Sequence, residues 1–447
     1  MDDCVKQIIE STISYEIDTG FLEYSMYTLE NRAIPSAIDG LKSVHRKLIY
    51  AMLNEHSGKK VKLADLSGIS KLNYHHSESS AASAAVTLTA DWNNNCPVFT
   101  GHGNFGSRLV QEASAPRYIF ATLSPSFKKI FIDSEVCPPA IDPENPEPRF
   151  YLPIIPWVLV NGISGIAVGF ATNILPRSVS DIVTATRTCI KNEKKFLSEN
   201  IPLRPTFPHF KGIVTQEDNT GLHWSTTGSI EYIGKYSYKI SELPIGYDRE
   251  SYVILLNSMI DKDLIRDFSD ECSEDGFGFV IKASGAQKEQ IDKDPIKYFK
   301  LQKQHSENLT TLGTDGKLKI FQSVSELIAY FCSYRTTKFG DKLSYDIDSL
   351  NYELNVLRDK IKFIHCVIDD KINFKTTTKA ALLEYITTNI TNQDYGRRFV
   401  SIPLYECTLD AVSELNVREN EIGKELGVLH SYTPEKMFLE KLTNLKL

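Results

Sequence analysis

The chain has no paired cysteines. Its eight are scattered singly, at Cys4, Cys96, Cys137, Cys189, Cys272, Cys332, Cys366 and Cys407. Without a C-x-x-C pair, neither a zinc knuckle nor a disulfide framework is indicated. A reducing, intracellular compartment suits such usage. The start, Met1-Asp2-Asp3-Cys4, is acidic and lacks the basic and apolar regions of a signal peptide. Charge is absent between Arg149 and Arg177, a run long enough to span a bilayer. Pro153, Pro156, Gly162, Gly165, Gly169 and Pro176 interrupt it, so it predicts buried strands and tight turns, with no membrane helix. Those glycines match no nucleotide-binding fingerprint. Internal repeats and low-complexity linkers are also missing.

What is present is ordinary in bulk and uneven in detail. A length of 447 residues, 42% hydrophobic and 24% charged, predicts two to four packed domains. The net charge of −7 excludes a protein that is basic throughout. Residues 31–130, however, hold twelve Lys or Arg against six acids, and five of the ten histidines. A local basic region in an acidic chain suggests a defined polyanion site, although a solvated basic face has the same composition.

Within that region, Gly101-His-Gly-Asn-Phe-Gly-Ser-Arg is followed by Ala115-Pro-Arg-Tyr-Ile-Phe. Glycines let backbone approach backbone or an anion closely. A tyrosine hydroxyl, with a reference pKa near ~10, is a poor nucleophile unless its surroundings help. A guanidinium beside it favours the phenolate, or neutralises a phosphate under attack. Taken alone, Arg117-Tyr118 is equally an ordinary loop tyrosine.

Periodicity organises the rest. Residues 3–29 read as a helical arm that could pack on a neighbour. An amphipathic helix over about Leu41–Leu53 follows the Asp39-Gly40 turn, and an alanine-rich helix covers about Ser79–Trp92. Two short helices around a basic segment are compatible with a winged helix-turn-helix. Strands at Gly228–Ile233, Ser237–Ile240 and Phe277–Ile281, with a helix at Asp248–Asp261, predict an α+β domain. Leu343, Ile347, Leu350, Leu354, Leu357, Ile361, Ile364 and Ile368 alternate steps of three and four, a heptad seam about 39 Å long at ~1.5 Å per residue. Leu415, Ile422, Leu426 and Leu429 make a weaker one. A compact insert separates the two seams. This predicts an antiparallel coiled coil with a head at its tip, or else a long helix packed on a globular body.

These segments, in this order, resemble type IIA DNA topoisomerases, in the subunit or half that cleaves DNA, including the N-terminal region of gyrase A and topoisomerase IV A. The resemblance rests on Asn31-Arg-Ala-Ile-Pro, Asp39-Gly-Leu-Lys-Ser-Val-His-Arg-Lys, Tyr74-His-His-Ser-Glu-Ser-Ser, Gly101–Gly106, Ala115-Pro-Arg-Tyr-Ile-Phe, Leu159-Val-Asn-Gly-Ile-Ser-Gly and Ile240-Ser-Glu-Leu-Pro. It covers nearly the whole chain and is nearest to phage-encoded members. His102 stands where relatives usually have Gln, and Ser77 where Gly is usual. No wrapping β-pinwheel follows, so relaxation or decatenation is expected ahead of negative supercoiling.

The resemblance implies an α+β multidomain fold. Its parts would be a helical arm over 1–29, a winged-helix domain over 30–150, a tower domain over 151–321, and a coiled coil with a small helical C-gate head over 322–447. It implies Tyr118 as nucleophile, forming a 5′-phosphotyrosyl link to DNA. Arg117, Arg32 and His76 would be catalytic partners. Lys42, His45, Arg46 and Lys47 would contact phosphates, positioning without reading sequence. Ile166 would wedge between base steps. Structural readings stand beside these: a surface ion pair for Arg117, a helix cap for Arg32, and a core position for His76 and for Ile166. His75-His76-x-Glu78 also has the composition of a metal cluster, but adjacent histidines diverge on most backbones. No metal or cofactor ligand is assigned to this chain. Mg²⁺ and ATP would be bound by a partner polypeptide, an ATPase–toprim large subunit, completing a heterotetramer or larger complex around a homodimer of this chain on double-stranded DNA, in the cytoplasm. A non-enzymatic dimeric DNA-binding architectural protein would share the basic region and the heptads, but would not need Tyr118.

Overall fold

A computed structural model describes residues 11–69, 77–140, 146–372 and 377–445. The chain divides into two compact units, Met1–Arg335 with Lys441–Leu447, and Thr336–Glu440.

The first unit begins with α1 (Ile13–Glu16) and α2 (Leu22–Thr28), continued by π-type turns at Ile17–Phe21 and Leu29–Ala33. Ile13, Phe21, Leu22 and Met26 are exposed along them. Residues 3–10 of the expected arm lie outside the described residues. The Asp39-Gly40 turn then leads into α3 (Ser43–Asn54). Gly40 has φ +65°, and a Cβ there would lie 2.5 Å from Val158 backbone atoms, so only glycine fits. Leu48, Ile49 and Met52 are fully buried on the inner face of α3, as its period requires.

The next elements are β1 (Val61–Lys62), α4 (Leu63–Ile69), α5 (Glu78–Thr89), β2 (Phe99–His102) and β3 (Phe120–Leu123). Ser77 caps α5, its hydroxyl accepting from Ser80 N at 3.2 Å. The strands form an antiparallel sheet in the order β1-β3-β2. Phe99, Val61, Ala121 and Leu123 are buried on its inner face. The period of two turns Thr100, His102, Phe120, Thr122 and Lys62 to the other face.

After α6 (Pro125–Ile130), the charge-free segment folds as a short buried helix, α7 (Trp157–Asn161), and a hairpin of β4 (Ile163–Ile166) and β5 (Ala171–Ile174). The segment therefore contains a helical turn as well as strands. Among the described residues no helix is long and apolar enough to cross a membrane.

Two helices, α8 (Val179–Lys191) and α9 (Glu193–Glu199), precede a mixed region. Its strands are β6 (Ile213–Gln216), β7 (His223–Thr227), β8 (Ser229–Gly234) and β9 (Ser237–Glu242), then β10 (Asp267–Asp270), β11 (Phe279–Lys282), β12 (Gln302–Ser306), β13 (Thr310–Leu312) and β14 (Leu318–Ile320). Its helices are α10 (Arg249–Asp261), capped by Asp248, α11 (Gly285–Ile291) and α12 (Pro295–Tyr298). The sheet β10-β11-β9-β8 packs Ile240, Phe279 and Ile281 against Tyr252 and Leu256 of α10 and against Phe299. A second sheet runs β12-β7-β6, and β13 pairs with β14. Arg177 is fully buried and paired in a fork with Glu307, and Arg335 with Asp133. Such pairs hold when hydrogen bonds fill the remaining sites; Arg177 also donates to the carbonyls of Leu203 and Leu175.

The second unit is helical. It contains α13 (Val324–Ile368) from Thr336 onward, α14 (Lys379–Asn389), α15 (Leu409–His430) and most of α16 (Pro434–Asn444). Ile347, Leu350, Leu354, Leu357 and Ile361 of α13 meet Leu415, Ile422 and Leu426 of α15. Arg358 pairs with Glu419, Arg418 with Glu353, and Phe339 meets Phe438. Descending numbers on one side meet ascending numbers on the other, so the helices are antiparallel. At one end a small core forms from Phe363, Ile364, Leu382, Ile386, Tyr395 and Phe399.

Candidate nucleic-acid interface

Tyr118 stands on a turn, Pro116–Tyr118, that immediately precedes β3. Its side chain is 66% exposed. The Arg117 guanidinium carbon lies 4.8 Å from the Tyr118 ring centre. The turn is pinned from both sides. Tyr118 N donates to Ala115 O at 2.9 Å, while Leu63 N and Ala64 N donate to Ile119 O and Pro116 O at 3.0 and 3.2 Å. Gly103, at φ +116°, leaves room for Ile119, since a Cβ there would come within 2.8 Å of it. The glycine-rich segment thus supports the strand behind the tyrosine.

A groove of about 1150 Å³ opens elsewhere in the same unit. Arg32, Lys42, His45, Arg108, Asn93, Asn94 and hydroxyls of α5 line it. None of its described lining residues is a carboxylate. Arg32 and Lys42 lend the groove positive charge, whereas Arg108 is neutralised by its ion pair with Glu242. Lys42 Nζ donates to Ser164 O at 2.7 Å, tying the start of α3 to the β4–β5 hairpin. Burial lowers the pKa of its ammonium from the usual lysine value. His45 Nδ1 accepts from Lys42 N at 3.4 Å. The Arg32 guanidinium lies 5.6 Å from the Tyr27 ring centre. At the end of the hairpin, Ile166 is 89% exposed.

The structure divides the nine expected site residues. Arg32, Lys42 and His45 share the groove, with Ile166 on the hairpin that Lys42 holds. Tyr118 and Arg117 adjoin one another but do not line this groove. Arg46 and Lys47 turn inward, and this narrows the expectation that both touch phosphate. Arg46 is 9% exposed; its Nε and Nη2 donate to the Asp39 carboxylate at 2.7 and 3.0 Å, and Nη2 also donates to Leu41 O. Lys47 is buried with Nζ 3.9 Å from Glu147. For Arg46 the physical reason is Asp39, which is fully buried and needs a counter-charge, and for Lys47 it is the buried Glu147. His76 lies outside the described residues.

Two contributors escaped the sequence reading. Ser80, Ser83 and Thr87 line the groove from one face of α5, and their spacing of three and four was legible. Arg108 was not: its Nη1 meets Glu242 Oε1 at 2.9 Å and its Nη2 donates to Leu243 O, joining residues over 130 apart in sequence. Among the described residues no group of three or more His, Cys, Asp or Glu could hold a metal ion. The described residues therefore do not fit a Mg²⁺ site, and no step below passes through one.

An exposed tyrosine beside an arginine, a basic groove and an exposed apolar hairpin tip are the parts of a chain that handles DNA backbone. The comparisons agree. The structure matches the DNA-binding, cleavage and re-ligation domain of Plasmodium falciparum topoisomerase II with a TM-score of 0.85 and 27% identity, over 96% of this chain and 63% of that one. In sequence the chain is 36% identical over 435 residues to the DNA topoisomerase medium subunit of Enterobacteria phage T4, covering 94% of this chain and 96% of that phage protein. It is 28% identical over 470 residues to a mitochondrial DNA topoisomerase 2 of Dictyostelium discoideum, spanning only 36% of that protein. These relatives support an enzyme of the type II topoisomerase class over a non-enzymatic DNA-binding protein. The family model for the A subunit of DNA gyrase/topoisomerase IV matches residues 32–447, and the chain belongs to that family.

Proposed function

We propose that this chain is the DNA-cleaving and resealing subunit of an ATP-dependent type II topoisomerase, with Tyr118 as nucleophile. The observation that carries the reading is the exposed Tyr118 hydroxyl on a pinned turn with the Arg117 guanidinium against its ring. The Tyr118 oxygen forms a bond to a backbone phosphorus as the bond to the deoxyribose 3′ oxygen breaks. The phenolic proton leaves, and the 3′ oxygen takes up a proton. One phosphodiester replaces another, so the reverse step reseals the strand without an energy source. Arg117 and Arg32 neutralise charge that builds on the phosphoryl oxygens, and His76 holds the phosphate or takes the proton.

Lys42 and His45 bind the duplex backbone from the groove. Arg46 and Lys47 act behind them, holding α3 through Asp39 and Glu147. Ile166 wedges between base steps. In domain terms, residues 30–150 form a winged-helix domain, 151–321 a tower, and 322–447 a coiled coil with a C-gate head, preceded by an arm. Two copies supply two tyrosines, one for each strand, in a C2 dimer. Mg²⁺ and ATP are bound by an ATPase–toprim partner subunit, in the cytoplasm of the cell in which the complex works.

The test is to mix the chain with its partner subunit, Mg²⁺ and plasmid, denature rapidly, and look for protein-linked broken DNA. Tyr118→Phe abolishes the adduct and leaves DNA binding within about two-fold. An adduct that persists in this variant removes Tyr118 from the mechanism.

A further inference from the structure

The strand that follows Tyr118 has an outer face with no role in the groove. β3 is the central strand of its sheet, and its outward positions are Phe120 and Thr122. Lys62 of β1 and His102 of β2 are the register partners of Phe120 on either side. Lys60 sits with Nζ 4.9 Å from the Phe120 ring centre. Thr122 Oγ1 lies 3.4 Å from His102 Nε2. Lys60, Lys62 and His102 are exposed and Phe120 is half-buried.

The cations on this face are ordered. β1 runs antiparallel to β3, so Lys62 lies at the Tyr118 end and Lys60 beyond it. Further along, Leu123 N donates to Gly58 O. Residues two apart on a strand are about 6.6 Å apart and point the same way. Lys62 of β1, and Lys60 just before it over the Phe120 ring, therefore place two positive charges on the outer face, leading away from Tyr118. The outward positions of the three strands include no carboxylate. An aromatic ring flanked by lysines and hydroxyls on an open sheet is suited to a nucleic-acid strand, with phosphates on the cations and the ring against sugar or base.

We propose that the outer face of β1, β3 and β2 is a docking track for the DNA strand joined to Tyr118, with Lys62 and Lys60 contacting successive phosphates beyond the point of attachment. The inference rests on the reading of Tyr118 as the residue that becomes linked to DNA. Two observations select this occupant. The two lysines lie along β3 from its Tyr118 end, so a strand attached to Tyr118 can run over them. The outward strand positions carry only positive or neutral groups, which suits a phosphate backbone.

The experiment uses the full-length chain with Tyr118→Phe, so that binding is measured without cleavage. Affinity for a short duplex is followed from 50 to 200 mM salt. Each lysine lost from phosphate flattens the log–log slope by about 0.9, so Lys60→Gln with Lys62→Gln lowers the salt-dependent loss of affinity about 12-fold. Lys60→Arg with Lys62→Arg restores the steep slope. An unchanged slope in the Gln pair overturns the proposal, whatever happens to the adduct. So does a slope that flattens equally in the Arg pair, because charge would then not be the cause. A thermal melt of each variant confirms folding, and Lys62→Gln alone, expected to flatten the slope by about half as much, is read if the pair unfolds. Failure of the Tyr118 reading shows separately, as an adduct that survives Tyr118→Phe in the complete enzyme.

Discussion

Arg46 separates a structural from a DNA-contacting role for the basic cluster at the start of α3. Its guanidinium forms two bonds to Asp39 and one to Leu41 O, and Asp39 also accepts from Leu41 N and Tyr151 N. Asp39 is wholly buried, and the Arg46 side chain is 11% exposed. Arg46→Met leaves a buried carboxylate with two backbone donors and no counter-charge. Removing one member of such a pair costs about 3–5 kcal/mol, roughly two to three and a half orders of magnitude in the folding equilibrium. The loss is read as a lower denaturant midpoint. Asp39→Asn on the Arg46→Met chain removes the uncompensated charge and recovers part of it, so the double-variant cycle is strongly non-additive. Below the unfolding transition, the salt slope of DNA binding stays as in the parent. Lys42→Ala, by contrast, flattens that slope by about 0.9. The reasoning is refuted if Arg46→Met keeps its stability within about 0.5 kcal/mol and flattens the slope instead.

Ile166→Ala alters stability by less than about 0.5 kcal/mol, because the side chain is already 89% exposed. It reduces bending of a bound duplex, read by energy transfer between dyes at the duplex ends; an unchanged bend rules out the wedge. His305 gives a pH dependence. Its Nε2 lies 2.9 Å from Thr226 Oγ1, and burial, aided by Lys303, lowers its pKa from 6.5 to about 4. Between those values the unfolded chain binds a proton that the folded chain refuses, so stability falls as pH drops from about 6.5 to about 4. With partial exposure discounted, the fall is about 1–2 kcal/mol. It is absent in His305→Gln, and denaturant midpoints measured across that pH range check it.

Features carried by neighbouring residues were legible. The amphipathic period placed α3, the alanine-rich run placed α5, and the Asp-Gly pair placed the turn that Gly40 alone can make. The three-and-four spacing from Leu343 to Ile368 marks a heptad seam, and α15 covers its Ile347–Ile361 part. The Arg117-Tyr118 pair and its resemblance to a family were also in the string. These follow from short-range rules, since period, caps and backbone sterics act within a few residues.

Which side chains are free to act was settled by packing. Lys42, Arg46 and Lys47 are near neighbours with the same sign of charge. Yet Lys42 reaches a groove, while Arg46 is drawn inward because Asp39 cannot stay buried without it. The lining of that groove, with no carboxylate among its described residues, comes from segments more than 200 residues apart, and Arg108 meets Glu242 across 134 residues. Whether a charge faces water or a counter-charge depends on what lies beside it in space, and desolvation makes that choice only once the chain has closed.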